Sequence, residues 1–338
     1  MVVGFFDIDN RLSDLSASKD FLLKLKNLIP WEDFRLQLEM IHDKERKSNA
    51  GRKPFDVILM LKILILQSLY NLSDDEMEYQ IKDRLSFMNF LDMTFDSRIP
   101  DAKTIWLFRD RLEKQDLVKA IFLRFDTYLR EHGFEAKSGQ IVDASIVRVP
   151  TQRNTRDEND QIKQGNPPED WSDNKRSQKD VDARWTRKNN QNFFGFKNHA
   201  QGDVEHKIIR DYDVTPASVH DSQVCDELLD SDNSSKDVHA DSAYHSKKRI
   251  KKLEKQGFIP HLNRKSCKHH KLTEEEKQEN RTNSKIRCRI EHVFGAQFQK
   301  AGNLILRTIG LARAKVKIGL RNLAYNMDRF CHLKTRTA

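Results

Sequence analysis

The chain has 338 residues, a third of them charged and 37% hydrophobic, which excludes membrane-embedded, collagen-like and low-complexity classes. At about 150 residues per domain the length predicts two domains with room for a real core. The formal charge of +9 is uneven: Tyr244–Ala338 holds 24 Lys and Arg against 7 Asp and Glu, leaving a net −8 on residues 1–243, and a basic block of that size is the footprint expected where phosphates bind.

In chain order, Met1–Asp7 lacks the basic start and long apolar core of a signal peptide, so the chain is expected to stay in the compartment where it is made. The pattern is helical from Asp20 to Phe134: Phe21–Leu25, then Phe55–Tyr70 after the turn signal Gly51-Arg52-Lys53-Pro54. The longest apolar run, Val57–Leu66, is broken by Lys62 and is short of the ~18 residues that span a bilayer. Ser73-Asp74-Asp75-Glu76 has the spacing of a helix start. One long helix or two follow over Asp101–Arg130, striped by Ile105, Phe108, Leu112, Val118, Ile121, Phe122, Phe125 and Leu129. Residues 1–135 therefore read as an all-helical domain.

After Gly139 the period changes. Ile141–Val149, closed by Pro150, reads as a buried strand, and the stretch 151–191, nearly devoid of large aliphatics, as a long polar loop that orders on binding. Phe193–Asp203 and Lys207–Thr215 resume strand character around a turn at Val204-Glu205-His206, so three strands form a meander. A short helix after His220-Asp221-Ser222, a strand Asp237–Asp241, a helix Tyr244–Gln256, a strand Phe258–Leu262, a polar connection to Asn283 and an amphipathic helix Lys285–Gln299 complete the order. A meander followed by alternating helix and strand predicts a mixed sheet covered by helices, the layout of RNase H-like folds. The expected fold is thus α+β, an all-helical N-terminal domain before an RNase H-like α/β domain over 136–300. Residues 301–338 are expected as a basic helix packed on that second domain, since apolar positions recur from Leu304 to Phe330 with Lys and Arg between them.

Three carboxylates fall at meaningful places: Asp143 inside the first strand, Asp241 at the end of the fourth, and Glu291 midway along the amphipathic helix. An Asp in an apolar strand is costly unless its charge is compensated. Three such groups converging need a divalent cation between them, and carboxylates with waters suit Mg2+ or Mn2+. Two such ions can activate an attacking oxygen and stabilise a leaving one in phosphodiester displacement. Blander roles also fit: Asp143 bonded to backbone donors, Asp241 as a helix cap, and Glu291 as half of an i, i+4 pair with Arg287. Arg184, Trp185, Arg187, Lys188 and Lys197 form a basic and aromatic cluster suited to phosphates and unstacked bases, or else a core Trp with solvated charges. Cys267, Cys288, His269 and His270 match no usual zinc spacing, and with Cys225 and Cys331 the cysteines form no Cys-x-x-Cys pair.

The series of motifs resembles the DDE transposases of bacterial insertion sequences, in the group named after insertion sequence five. Gly51-Arg52-Lys53-Pro54-Phe55, Asn71-Leu72-Ser73-Asp74, Arg84-Leu85-Ser86-Phe87 and Ile99–Trp106 resemble its N-terminal helical domain. Val142-Asp143-Ala144-Ser145, Ala240-Asp241-Ser242-Ala243-Tyr244 and Arg287-x-x-x-Glu291-His292-x-Phe294-Gly295 resemble its three acidic motifs, with Asp182–Trp185, Phe194–Lys197 and His220-Asp221-Ser222 between them. The resemblance implies that Asp143, Asp241 and Glu291 are metal-binding catalytic residues, with Arg287 their basic partner, and that Mg2+ is the cofactor. The family often has a Tyr three before that Arg, where this chain has Ser284, and a Lys six or seven after the Glu, where it has Gln297 and Phe298; Lys300 is the nearest candidate.

The expected function is therefore a transposase that binds terminal inverted repeats and catalyses strand cleavage and transfer. The expected DNA contacts are Arg52, Lys53, Arg184, Trp185, Arg187, Lys188, Lys197 and Lys300. Its partner would be double-stranded DNA, held by a homodimer, with no membrane and no small-molecule substrate, in the bacterial cytoplasm at the nucleoid. Rival readings are a catalytically silent DNA-binding derivative, another two-metal nuclease acting on RNA or branched DNA, and a protein-interaction scaffold whose binding would not weaken steeply with salt.

Overall fold

The computed structural model describes residues 7–17, 20–42, 53–266, 271–302 and 304–337. Two compact units emerge, Met1–Leu129 with Gly319–Ala338, and Arg130–Ile318. The first is helical: α1 (Asp7–Ala17), α2 (Phe21–Leu28), α3 (Arg35–Glu39), α4 (Val57–Tyr70), α5 (Asp74–Asp83), α6 (Leu85–Phe90), α7 (Ala102–Lys114) and α8 (Leu117–Glu131). Asp56 starts α4 by accepting from the backbone N–H of Ile58 and Leu59, and Asn71, at φ 53°, ends it. Ser73 caps α5 through the N–H of Glu76, as its spacing predicts, and Asp101 caps α7 through Thr104. The stripe over Asp101–Arg130 divides into α7 and α8 where Asp116 turns left-handed. Helix α4 is buried nearly all round. Its one charge, Lys62, is neutralised by Asp92 at 2.6 Å. No single helix among the described residues is long and apolar enough to cross a membrane.

The last helix, α13 (Leu311–Thr337), corrects one expectation. Rather than packing wholly with the second unit, the chain from Gly319 onward belongs to the helical unit. The cause is aromatic: Phe330 sets its edge against Phe125 and Tyr128, at centroid distances of 6.1 and 5.9 Å.

The second unit is a mixed sheet with helices. Its elements are β1 (Gln140–Arg148), α9 (Arg156–Lys163), α10 (Asp173–Gln178), β2 (Arg184–Lys188), β3 (Gln191–Asp203), β4 (Ile209–Pro216), β5 (Asp237–Ala240), α11 (Lys247–Lys255), β6 (Ile259–Leu262) and α12 (Glu274–Ala301). The strand order is β2-β3-β1-β5-β6, with β4 also on β3. Pairs β1–β3, β2–β3 and β3–β4 are antiparallel, while β1–β5 and β5–β6 are parallel. Val142, Val238 and Ala240 close one face over Tyr244, Leu253 and Leu262 in a buried cluster. The β-branched strands seen in the sequence thus form the sheet's centre, where burial on both faces favours them.

Three stretches differ from the sequence reading. The polar segment 151–191 is not one loop but contains α9, α10 and β2. Thr155 and Glu158 form a reciprocal capping box, and Glu158 also accepts from Trp171 Nε1 at 2.8 Å and Lys175 Nζ at 2.6 Å, which holds its carboxyl down at about 2. The last helix to lie wholly in the second unit, α12, starts eleven residues early, at Glu274, behind a second capping box of Thr273 and Glu276. After His220 the chain makes two 3-10 turns, Asp221–Gln223 and Cys225–Glu227, in place of a helix.

Gly195 lets β1 and β3 approach where no side chain fits. Its φ is +153°, and an added Cβ would lie 2.2 Å from the carbonyl oxygen of Val147. Gly195→Ala is expected to cost about 3 kcal/mol through the backbone clash and the disfavoured φ, read as a lower urea midpoint; an unchanged midpoint would show that the strands part freely.

Candidate active site

Strands β1 and β5 run parallel with Val142 opposite Ala240. The next residue on each is an acid, Asp143 within β1 and Asp241 just beyond β5. Side chains alternate along strands, so both carboxylates leave the face opposite the one where Val142 and Ala240 join the core cluster. Helix α12 crosses that side: Arg287 donates from Nη1 to Asp143 Oδ2 at 3.1 Å and from Nη2 to Glu291 Oε1 at 2.6 Å. One guanidinium thus joins acids 148 residues apart in sequence. The blander roles are present as well. Asp143 Oδ1 accepts from the N–H of Ala144, and Asp241 caps the turn Ser242–Tyr244 through Ala243 N–H. Backbone bonding fixes these two carboxylates and leaves each an oxygen for other chemistry.

Burial pushes the Asp143 carboxyl up to about 6, the Asp241 charge adds to this, and the Ala144 N–H, Arg287 and Lys188 pull against it. Lys188 is the last residue of β2, at the tip of the β2–β3 hairpin. Two residues at the tip, Asn189 and Asn190, have φ of 50° and 61°, as a tight type I′ turn requires. Tyr244 lies on the other side of the same acids. Its phenol is held well above its ordinary value, by burial first and then by Asp143 and Asp221. The hydroxyl therefore keeps its proton, and it is buried with no hydrogen-bond partner among the described residues.

The remaining residues expected to touch DNA separate into groups. Trp185 is 48% exposed, with its ring 5.2 Å from Phe194. Arg187 and Lys188 are exposed on the hairpin, and Lys300 is exposed at the end of α12. Lys53 is exposed in the helical unit, where its carbonyl accepts from Arg98 Nη1. Two expectations meet a different arrangement. Lys197 is buried, with Nζ 2.7 Å from Asp221 and bonded to the carbonyl of Val219. Arg184 spends its guanidinium on the carbonyls of Val181, Ala183 and Ile162. Both charges are engaged by contacts within the fold, Lys197 buried and Arg184 half-buried. Arg52, Cys267, His269 and His270 lie outside the described residues, and Cys288 is a free thiol. Asp221 and Tyr244 were legible only as motif members, because their nearness to the acids depends on how the chain returns between β4 and β5.

As the side chains stand, no three His, Cys, Asp or Glu among the described residues are gathered tightly enough to hold a metal ion. The guanidinium of Arg287 stands between two of the three carboxylates. The donor set nevertheless fits a hard divalent cation: it consists of carboxylate oxygens, one of them, on Asp143, desolvated by burial.

Residues 135–327 match the family described as Transposase DDE domain. Residues 10–111 match a second family, described as Transposase domain. A solved structure, the cryo-EM piggyBac transposase synaptic complex with hairpin DNA, is similar at 12% identity and a TM-score of 0.44, over 94% of this chain and 76% of that one. The mixed sheet with helices is the RNase H-like fold of such domains, and the match to the Transposase DDE domain covers more than half of the chain. The chain belongs to the DDE-domain transposase family.

Proposed function

We propose that the protein binds the terminal inverted repeats of an insertion sequence, of the group named after insertion sequence five, and catalyses DNA strand cleavage and strand transfer. One observation carries the reading: Arg287 ties Asp143 to Glu291 while Asp241 leaves the neighbouring parallel strand one residue after the paired Val142 and Ala240. Asp143, Asp241 and Glu291 would hold Mg2+ or Mn2+. When bound, such ions polarise a phosphodiester and lower the pKa of the attacking hydroxyl.

The chain's own residues contribute position and charge. Backbone bonds to Asp143 and Asp241 fix their carboxylates, and a site fixed on strands loses little by reorganisation. Arg287 keeps Asp143 and Glu291 from repelling each other before DNA arrives. Lys188 and Arg187, exposed on the hairpin, supply cations for the phosphates beside the acids. The helical unit is the natural reader of the repeat, with one helix in the major groove, and holding two ends requires a dimer on DNA.

The test is nicking of a duplex carrying the inverted repeat that flanks the coding sequence. We expect strand cleavage with Mg2+ or Mn2+, none after EDTA, and none on an RNA hybrid. Equal cleavage of unrelated duplexes, or full cleavage in EDTA, would contradict the proposal.

A further inference from the structure

Helix α11 begins six residues after Asp241, and six of its nine residues are Lys or Arg against one acid, Glu254. These cations divide by direction. Arg249 and Lys252 are taken by Asp226, at 2.8 and 2.6 Å. At about 100° per residue, Lys247, Lys248, Lys251 and Lys255 share an arc of about 100° that excludes Ile250 and Leu253, the residues packed into the core cluster. All four lysines are exposed, and none of their ammonium groups has an ion-pair partner among the described residues. From Lys247 to Lys255 the helix rises about 12 Å, the axial length of about three or four phosphates on one DNA strand.

The stripe works against the helix that carries it. Lys247 with Lys251, and Lys251 with Lys255, are like charges four apart, a spacing that destabilises a helix. Leu253 and the two bonds to Asp226 already fix α11 on the sheet, so the fold gains nothing from the four unpaired charges. Ammonium groups on flexible stems, with no planar donor among them, complement a phosphate backbone and read no bases. Position adds a direction. Ser246 caps α11 through the N–H of Arg249, so Lys247 and Lys248 stand at the end of the sheet where Asp241 leaves β5. The acids leave one face of the sheet, whereas α11 packs on the other, through Leu253 against the cluster of Val142, Val238 and Ala240. A duplex laid on the stripe therefore meets the acid end of the sheet from the side opposite α12.

We propose that the face of α11 formed by Lys247, Lys248, Lys251 and Lys255 holds a second duplex of no fixed sequence, the target into which the cleaved ends are transferred. The proposal rests on the reading of the chain as a transposase that cleaves and joins. Such a reaction needs one duplex recognised by its sequence and another accepted without regard to it. A row of point charges that starts at the acid end of the sheet suits the second.

The experiment saturates the full chain with pre-cut inverted-repeat ends in Ca2+ and follows capture of a labelled duplex lacking the repeat by fluorescence anisotropy. Lys247→Gln, Lys248→Gln, Lys251→Gln and Lys255→Gln are combined in one variant, and the four Lys→Arg changes in another. In the glutamine variant, affinity for the second duplex is expected to fall about tenfold at about 0.15 M salt, and the slope of log affinity against log salt to become shallower by about three. Affinity for the repeat and Mg2+-dependent nicking should stay at the parental level, and the arginine variant should capture the second duplex as the parent does. The inference is overturned if capture and slope are unchanged in the glutamine variant, or if repeat binding falls in the same proportion, since the face would then hold the end itself. It is equally overturned if only duplexes carrying the repeat are captured, or if polyglutamate binds the parent as tightly as the duplex does. Normal nicking with undiminished capture sinks this inference alone; a parent chain that neither binds nor nicks the repeat sinks the transposase reading with it.

Discussion

Asp143→Asn and Glu291→Gln are each expected to slow divalent-dependent nicking of inverted-repeat DNA about a thousandfold. Each substitution keeps the side chain's size and removes one carboxylate charge from the set that holds the ions, a loss of about 4 kcal/mol of transition-state stabilisation. Stability should move the other way at Asp143. Burial already pushes that carboxyl up to about 6 against the pull of Arg287. A neutral amide removes the desolvated charge, so the thermal midpoint of Asp143→Asn should hold or rise while activity is lost. A variant that is inactive because it unfolds, or one that nicks at the parental rate, would contradict the assignment. Arg287 allows a finer reading: Arg287→Ala leaves all three carboxylates but removes the bridge, so its nicking should fall less than that of either acid variant.

Arg210→Met is expected to destabilise the second unit by about 3 to 5 kcal/mol, the range for an ion left alone in a protein interior. Arg210 and Asp203 are both fully buried, with Nε 3.0 Å from Oδ2, and Arg210 Nη2 donates to the carbonyl of Phe134 at 2.6 Å. Asp203 also accepts from the N–H of His206. Removing the guanidinium takes the arginine partner from a fully buried carboxylate at the end of β3 and leaves it the backbone N–H groups of His206 and Ile208. Pairing Arg210→Met with Asp203→Asn should recover part of the loss, since the second change neutralises the orphan. Urea unfolding followed by circular dichroism measures both. A loss below about 1 kcal/mol for Arg210→Met would mean that water reaches the pair.

The sheet's centre was readable in the sequence because its chemistry is local. Ile141, Val142, Ile146 and Val147 form a β-branched run that nothing but a buried strand accommodates, and an acid inside it marks an exception that needs a cause. The bridge from Arg287 to Asp143 was not readable, because it spans 144 positions and exists only once α12 crosses the sheet. Helices α9 and α10 escaped a reading based on apolar stripes: Ile162 is the one buried residue in α9, and α10 has none. Their signal was in the caps, since Thr155 and Glu158 have the same spacing as Ser73 and Glu76, which did announce a helix. The start of α12 was hidden for the same reason. Its first twelve residues, up to Lys285, contain no large apolar side chain, so the stripe begins only at Ile286, more than two fifths of the way along the 28-residue helix. Lys197 and Arg184 read as phosphate contacts because charge shows in a sequence and direction does not. The strand register turns Lys197 toward Asp221, and three backbone carbonyls take up Arg184.

The central claim is that Asp143, Asp241 and Glu291 surround one ion site, and mapping that site on the protein tests it most directly. Fe2+ substituted for Mg2+, with ascorbate and peroxide, cuts a polypeptide beside the ion it occupies. The account predicts three cuts, near residues 143, 241 and 291, all suppressed by excess Mg2+ and all absent in Asp143→Asn. Cuts confined to one of these segments, or clustered elsewhere in the chain, would contradict it.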